Sequence, residues 1–331
     1  MRQFSDIIRI FVTMESKDTR YDLVRGIAII LIVFTHAMGM VTGVAPAGWS
    51  PVRVEYALLK TLVSPGVHLF FLLSGALLLG KEEPVWLFYR KRLRRILVPF
   101  LIWSAILYVL TGLKTPSFDW KHCLPDFGQK LLTNGIHGTY WFIYAILGLY
   151  LITPLLRLLC HAKAGCTALL LLSLAVYGSH LAFPSVPEVP YVSCLADYVA
   201  GYWFVRYLRR SKPVIILAAV VLTLSFLSEF FQRLLTENNF PFEILLAAAL
   251  FVLIVHSVRA PKLSPAFQLL GDCSLGIYLS HCIFISAFTL VAVRLGLPAA
   301  TGPFFVGLGT LSVEWCLMAL LRKLKLDRIL A

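Results

Sequence analysis

Long apolar runs separated by short polar segments are the main pattern along this chain. Each run holds about 20 residues, the length that an α-helix needs to cross a hydrocarbon core of about 30 Å. The runs show no alternation with a period of two, so they predict helices and exclude a membrane β-barrel. The pattern predicts an all-α, polytopic membrane helix bundle with about ten transmembrane helices, at residues 23–43, 62–80, 96–112, 138–156, 167–183, 191–208, 213–231, 242–258, 275–293 and 302–320.

Composition agrees with a membrane protein. Of the 331 residues, 59% are hydrophobic and 14% are charged, whereas a soluble domain carries about 25% charged residues. None of the polar segments is long enough to form a soluble domain. Any chemistry is therefore expected within the membrane domain.

The positions of Lys and Arg predict the orientation of the chain. Most of the 30 basic residues fall in every second polar segment, beginning with the N-terminal one, and such residues concentrate on the cytoplasmic side. We expect both termini in the cytoplasm, with a cytoplasmic segment over 1–20, a membrane domain over 21–325 and a cytoplasmic tail over 326–331. The net charge of +13 is explained by this bias and by contact with membrane lipids, so no nucleic-acid partner is expected.

Two ionisable residues in the first apolar run are the first functional candidates. Arg25 lies at its start and His36 near its middle, a spacing that places them about 20° apart around a helix and about 16 Å apart along it. Ionisable groups inside a membrane are rare and usually line an interior cavity. The shared face is therefore predicted to be functional, with Asp22 pairing with Arg25 one turn earlier.

The second run offers two further polar candidates, Ser74 and His68. Ser74 belongs to a group of small residues with Gly75 and Ala76, which would let a neighbouring helix approach closely. Alternatively, its hydroxyl faces the same cavity as His36. His68 lies nearer the outer surface and could contact an acceptor.

The most basic stretch runs from Phe88 to Phe100 and holds Arg92 and Arg95 three residues apart. A basic cluster beside a membrane span often serves only as a topology anchor and a lipid contact. Two guanidinium groups on one helix face also make a fork for phosphates, where lysines would act only as point charges.

Later runs hold scattered polar residues. Tyr278 and His281, at i and i+3, either line the cavity or make interhelical hydrogen bonds. Asp197 could orient an acceptor hydroxyl, and Glu314 lies deep enough to need a partner. Tryptophans such as Trp141 are explained by the aromatic belts at membrane interfaces.

The seven cysteines show no paired spacing that would indicate a disulfide framework or a zinc site. No bound metal is expected.

Several of these segments together resemble the signature motifs of the membrane acyltransferase 3 family. The matching segments, in the expected order over residues 20–325, are Arg25-x10-His36, Phe70-Phe71-x-x-Ser74-Gly75, Arg92-x-x-Arg95 with Pro99, Tyr140-Trp141-Phe142 with Thr153-Pro154, Asp197-Tyr198 and Gly276-Ile277-Tyr278 with His281. The chain resembles the short members, which lack a fused extracytoplasmic domain.

The resemblance implies transfer of an acyl group, usually acetyl, from cytoplasmic acyl-CoA to a hydroxyl of a cell-surface glycan or lipid-linked glycan precursor, in a bacterial inner membrane. Acetyl-CoA is then the expected donor. The resemblance implies catalysis by His36 and binding of CoA phosphates by Arg25, Arg92 and Arg95. From their positions in the helices we also expect Arg25 and Ser74 to take part in catalysis. We expect acceptor binding by Tyr278, His281, Asp197 and His68.

One position departs from the family pattern. Many members have a histidine directly before the aromatic segment of the fourth helix, whereas this chain has Thr139 there and His137 two residues earlier. A role for a histidine at this helix is therefore open.

In the expected mechanism His36 acts as general base on the acceptor hydroxyl. Direct transfer and an acyl-enzyme on Ser74 or His36 both fit the sequence. The main alternative function is a transporter or flippase for an anionic lipid-linked substrate, with the same basic mouth and no bond formed. A catalytically silent membrane scaffold would leave the Arg25/His36 pair unexplained.

Overall fold

The computed structural model of the protein describes residues 18–42, 49–183, 191–235, 242–259, 261–298 and 301–330. Fourteen α-helices, two short 3-10 helices and no β-strand occur in these ranges. The first 17 residues, most of the predicted N-terminal segment, lie outside them. In chain order the helices are α1 (Thr19–Thr42), α2 (Pro51–Val63), α3 (Gly66–Leu78), α4 (Val85–Lys114), α5 (Cys123–Leu132), α6 (Trp141–Cys160), α7 (Lys163–Ala182), α8 (Val192–Arg206), α9 (Lys212–Leu235), α10 (Phe242–Ser257), α11 (Pro265–Asp272), α12 (Ser274–Arg294), α13 (Gly302–Lys323) and α14 (Asp327–Leu330).

Seven stretches of the described chain are long and apolar enough to cross a membrane. They are α1, α2 together with α3, α4, α6, α9, α12 and α13. Helices α7 and α10 contain shorter apolar stretches, and α8 has only 15 residues. The all-helical membrane bundle is confirmed, whereas the count of ten spans and the cytoplasmic placement of both termini stay predictions.

The second span is interrupted at Ser64 and Pro65, between α2 and α3. Pro65 has no backbone N–H to donate to the carbonyl four residues earlier, which belongs to Thr61. Ser64 Oγ instead donates to that carbonyl at 3.0 Å. The predicted second run corresponds mainly to α3, and most of the preceding residues, expected in an outside loop, form α2. This helix begins at a cap in which Ser50 Oγ accepts a hydrogen bond from Arg53 N at 3.1 Å.

Helices α3 and α8 pack with their backbones in direct contact. A Cβ atom placed on Gly75 would lie 1.6 Å from the carbonyl oxygen of Tyr198, and one on Gly201 would lie 1.8 Å from the carbonyl oxygen of Leu72. Only glycine fits at either position, so the prediction that small residues in the second run allow a close helix approach is confirmed.

Helix α1 lies at the centre of the bundle and contacts α2, α3, α10, α11, α12 and α13. Its apolar face is fully buried at Val24, Ala28, Ile29 and Val33. This surrounding keeps the residues of α1 inside the protein. At the other end of the chain, α14 contacts α4 through a hydrogen bond of 3.0 Å from Trp103 Nε1 to the carbonyl oxygen of Leu330.

We predict that Gly75→Ala destabilises the bundle, because the new methyl group must push the α8 backbone away. Overpacking of this kind costs about 1–3 kcal/mol. The apparent melting temperature, followed by size-exclusion chromatography after heating, should therefore fall. Gly148→Ala in α6 is the matched control, since no atom lies within 4 Å of its added Cβ. Equal melting of the two variants would contradict the packing described here.

Candidate active site

A cavity of about 320 Å³ lies between α1, α3, α4, α6 and α12. Apolar side chains such as Leu73, Leu77 and Ile146 form much of its wall. We call it the arginine cavity, and its polar lining consists of Arg25, Ser74, Lys81, Arg92, Arg95, Tyr150, Ser274 and Tyr278. Five residues of the predicted site therefore line one space, although they come from four different helices.

The arginine cavity carries an excess of positive charge. Arg25 Nη1 forms an ion pair of 3.0 Å with Asp22 Oδ1, as the sequence predicted. Neither Arg95 nor Lys81 forms an ion pair within the described ranges. Unpaired cations beside an apolar wall favour a ligand that has both anionic groups and an apolar portion.

Arg92, the second member of the predicted phosphate fork, is held by a carboxylate. Its Nη2 lies 3.2 Å from Glu83 Oε1, while Lys91 Nζ lies 3.3 Å from Glu83 Oε2 and Arg157 Nη2 lies 3.7 Å from Oε1. Partial burial by itself raises the pKa of Glu83, but the charge of Arg92 and the hydrogen bond from Lys91 outweigh it, so the pKa lies below its ordinary value. Glu83 is thus ionised at neutral pH and contacts three cations, of which Arg92 lines the arginine cavity.

His36 is adjacent to the arginine cavity but does not line it. Its ring lies 5.1 Å, between centroids, from that of His281, which lies 5.6 Å from the ring of Tyr278 in the cavity wall. Ser74 therefore lines the cavity without His36, whereas one interpretation of the sequence placed both residues in the same cavity. His281 Nδ1 lies 2.6 Å from the carbonyl oxygen of Tyr278. A carbonyl can only accept, so Nδ1 donates in this contact, while Nε2 lies 3.5 Å from Cys282 Sγ.

The segment before α6 completes this histidine pair with residues that the sequence left open. The hydroxyl of Tyr278 donates to the carbonyl of Thr139, and Thr139 Oγ1 lies 3.2 Å from Cys282 Sγ. His137 Nδ1 lies 2.9 Å from Thr139 Oγ1. His137 is thus close to the site even though Thr139 occupies the position expected for a histidine. The contact between Thr139 and Cys282 joins two distant parts of the chain, so residue spacing alone did not predict it.

Glu314, which the sequence marked as needing a partner, receives a hydrogen bond of 2.7 Å from Ser280 Oγ. Its side chain is fully buried, and Oε2 has no partner in the described part of the chain. Ser280 precedes His281, so this carboxyl group lies behind the histidine pair. The partner could not be predicted because it belongs to another helix.

The predicted acceptor residues His68 and Asp197 pair with each other, apart from the arginine cavity. His68 Nδ1 lies 2.5 Å from Asp197 Oδ2, and its Nε2 lies 3.7 Å from Glu243 Oε1. Glu243 in turn lies 3.5 Å from Arg233, which also pairs with Glu229. These five side chains form a charged network between α3, α8, α9 and α10.

Lys60 in α2 is a further cation that the sequence did not single out, because it was assigned to an outside loop. It is half-buried and forms no ion pair with another described residue. It lies in the last turn of α2.

No group of three or more His, Cys, Asp or Glu residues is placed to hold a metal ion in the described ranges. All seven cysteines lie in those ranges and are free. The site combines the cations of the arginine cavity with an apolar wall and an adjacent pair of histidines. That combination suits binding of a phosphorylated, partly apolar molecule and proton removal from a hydroxyl.

We predict a pH-dependent contribution of Glu83 to stability. The pKa of Glu83 is lower in the folded protein than in the unfolded chain. Its contribution to the free energy of unfolding is therefore complete above the ordinary carboxyl pKa of about 4.3. This contribution disappears as the pH falls through the pKa of the folded protein. Glu83→Gln should therefore lower the apparent melting temperature at pH 7, and the difference from the wild type should close at pH values well below 4.3.

Glu82→Gln is the control for this experiment, because Glu82 is exposed and forms no ion pair within the described ranges. It should melt like the wild type at every pH. A difference between Glu83→Gln and the wild type that stays constant down to the lowest pH would contradict the role given to this carboxylate.

Comparison with known proteins identifies the family. No curated protein and no solved structure matches the chain. The family model of the acyltransferase domain of the acyltransferase 3 family matches residues 18–320, from the start of α1 to within α13. The match includes the arginine cavity and the histidine pair. The chain therefore belongs to the acyltransferase 3 family of membrane acyltransferases.

Proposed function

We propose that this acyltransferase moves an acyl group, expected to be acetyl, from cytoplasmic acyl-CoA to a hydroxyl group of a cell-surface glycan or a lipid-linked glycan precursor. The observation that carries the proposal is the continuity between the arginine cavity and the histidine pair through Tyr278. In this proposal the protein resides in a bacterial inner membrane.

The arginine cavity suits the donor. Arg95, Lys81 and Arg25 would bind the CoA phosphates, with Arg92 joining them when phosphate competes with Glu83. The apolar wall would contact the narrow pantetheine arm. Arg25 and His36 lie about 16 Å apart along α1, so a long thin arm can connect the cationic mouth to the region of the histidines.

In the proposed step the acceptor hydroxyl gives its proton to His36 while its oxygen attacks the thioester carbonyl carbon. A new C–O bond forms and the C–S bond breaks. The CoA thiolate takes the proton back from His36 and leaves as the thiol. Ser74 is the better placed donor to the developing oxyanion, because the Tyr278 hydroxyl already donates to the Thr139 carbonyl. An acyl-enzyme on Ser74 or His36 would use the same residues in two steps.

We predict that His36→Ala lowers acyl transfer by at least about 100-fold, the range expected on loss of a general base. The assay uses inverted membrane vesicles with acyl-labelled acetyl-CoA and follows free CoA and label in the glycolipid fraction together. His161→Ala is the control, because His161 is exposed at the end of α6. The contrary result is a wild type that neither releases CoA nor labels glycolipid with several acyl donors, although folded protein and the host's glycans are present. That result would favour the transporter alternative.

We predict that Arg95→Ala raises the KM for acetyl-CoA about tenfold or more, because a hydrogen bond to a charged group contributes about 1.5–3 kcal/mol. Its neighbour Arg94 is exposed and does not line the cavity, so Arg94→Ala removes the same charge without the contact. The two variants should differ in KM for the donor and agree in KM for the acceptor. Equal effects on the donor would show that only the general positive charge matters.

A further inference from the structure

A second cavity, of about 400 Å³, lies where α3, α6 and α8 begin. We call it the aromatic cavity. It is lined by the aromatic rings of Phe71, Trp141 and Tyr191, by the polar side chains of His68 and Ser193, and by Val67 and Cys194. Its size falls in the range of ligand pockets, and its few polar groups on an apolar lining are typical of sites for small molecules.

Trp141 and Tyr191 present parallel aromatic faces in this cavity. Their planes differ by 3°, and their ring centroids lie 6.3 Å apart. Tyr191 has a φ of 61°, a left-handed conformation that residues other than glycine rarely adopt. Membrane-interface anchoring explains an aromatic residue at either position, but it does not require two rings from distant parts of the chain to be parallel.

The indole N–H of Trp141 forms no hydrogen bond in the described part of the chain. By contrast, Trp103 donates to the Leu330 carbonyl and Trp203 Nε1 donates to Thr167 Oγ1 at 2.9 Å. Trp141 therefore offers both a flat apolar face and an unused donor. The same cavity wall holds His68, whose orientation is set by its contact of 2.5 Å with Asp197.

One layer of rings separates the two cavities. Phe71 lines the aromatic cavity and Phe142 lines the arginine cavity, and their centroids are 4.9 Å apart. The arginine cavity reaches Lys81 beyond the last turn of α3, while the aromatic cavity contacts Val67 and His68 in its first turn. The two cavities thus approach opposite ends of one helix.

We propose that the aromatic cavity is the acceptor subsite and holds a sugar ring of the glycan, an inference that rests on the proposed function. A pyranose has a C–H face that packs on an aromatic ring and hydroxyl groups around its edge that need polar partners. Trp141 and Tyr191 supply the parallel faces, and the Trp141 N–H, Ser193 and His68 supply polar partners at the edge. The charged network holds His68 in place, so His68 and Asp197 act on the acceptor although they lie apart from the donor.

The test measures donor and acceptor separately in nanodisc-embedded full-length protein. The acceptor is the glycolipid extract of the host, and the donor is acyl-labelled acetyl-CoA. Trp141→Ala and Tyr191→Ala should each raise the KM for the glycolipid extract at least tenfold and change the KM for acetyl-CoA less than twofold. Tyr191→Phe, which keeps the aromatic face, should stay within threefold of the wild type.

Tyr191 is 46% exposed, so its truncation leaves the core intact even if Trp141→Ala folds poorly. Trp120→Ala is the control, because this exposed tryptophan lines neither cavity. An unchanged KM for the glycolipid extract in Tyr191→Ala, or equal changes for donor and acceptor, would overturn the subsite.

A donor-free measurement separates this inference from the proposed function. The probe is the oligosaccharide released from the same glycolipids by mild acid and tritium-labelled at its reducing end. Binding to the wild type that is lost in Tyr191→Ala and kept in Tyr191→Phe supports the sugar site, even where the wild type transfers no acyl group and the proposed function fails. Equal binding to the wild type and Tyr191→Ala would overturn the sugar site while leaving acyl transfer intact.

Discussion

The cost of placing an ionisable side chain in an apolar helix bundle is the constraint on which this structure depends. Such a group must be paired, hydrogen-bonded or open to a cavity. Arg25 meets this requirement through Asp22 and the arginine cavity, and Glu314 through Ser280. The polar residues therefore mark the places where the bundle is hollow or cross-linked.

These hollow places are arranged around α3. Because α3 and α8 are in backbone contact at Gly75 and Gly201, no ligand can pass between them, and the cavities are left at the two ends of α3. The arginine cavity is lined by several cations, whereas the aromatic cavity is lined mainly by aromatic rings. This difference matches the phosphorylated donor and the sugar acceptor of the proposals. The rings of Phe71 and Phe142, with centroids 4.9 Å apart, lie between the two cavities.

Features that lie along a single helix could be predicted from the sequence. The helical repeat alone placed Asp22 beside Arg25, and the run of small residues predicted a close helix contact at Gly75. The apolar runs predicted a helical membrane protein. The interruption at Pro65 was missed because an apolar run does not show where a helix breaks, and α2 was therefore assigned to a loop together with Lys60.

The sequence by itself determined the class of protein, the identity of its motifs and the one-dimensional spacing of Arg25 and His36, because hydrophobicity and helical periodicity are local properties. The tertiary structure decided which side chains meet: Arg92 with Glu83, His36 with His281, His68 with Asp197 and Trp141 with Tyr191. Each of these pairs depends on how helices pack or on the path of a loop. Packing is set by shape complementarity across the bundle, and the residue spacing along one segment carries no information about it.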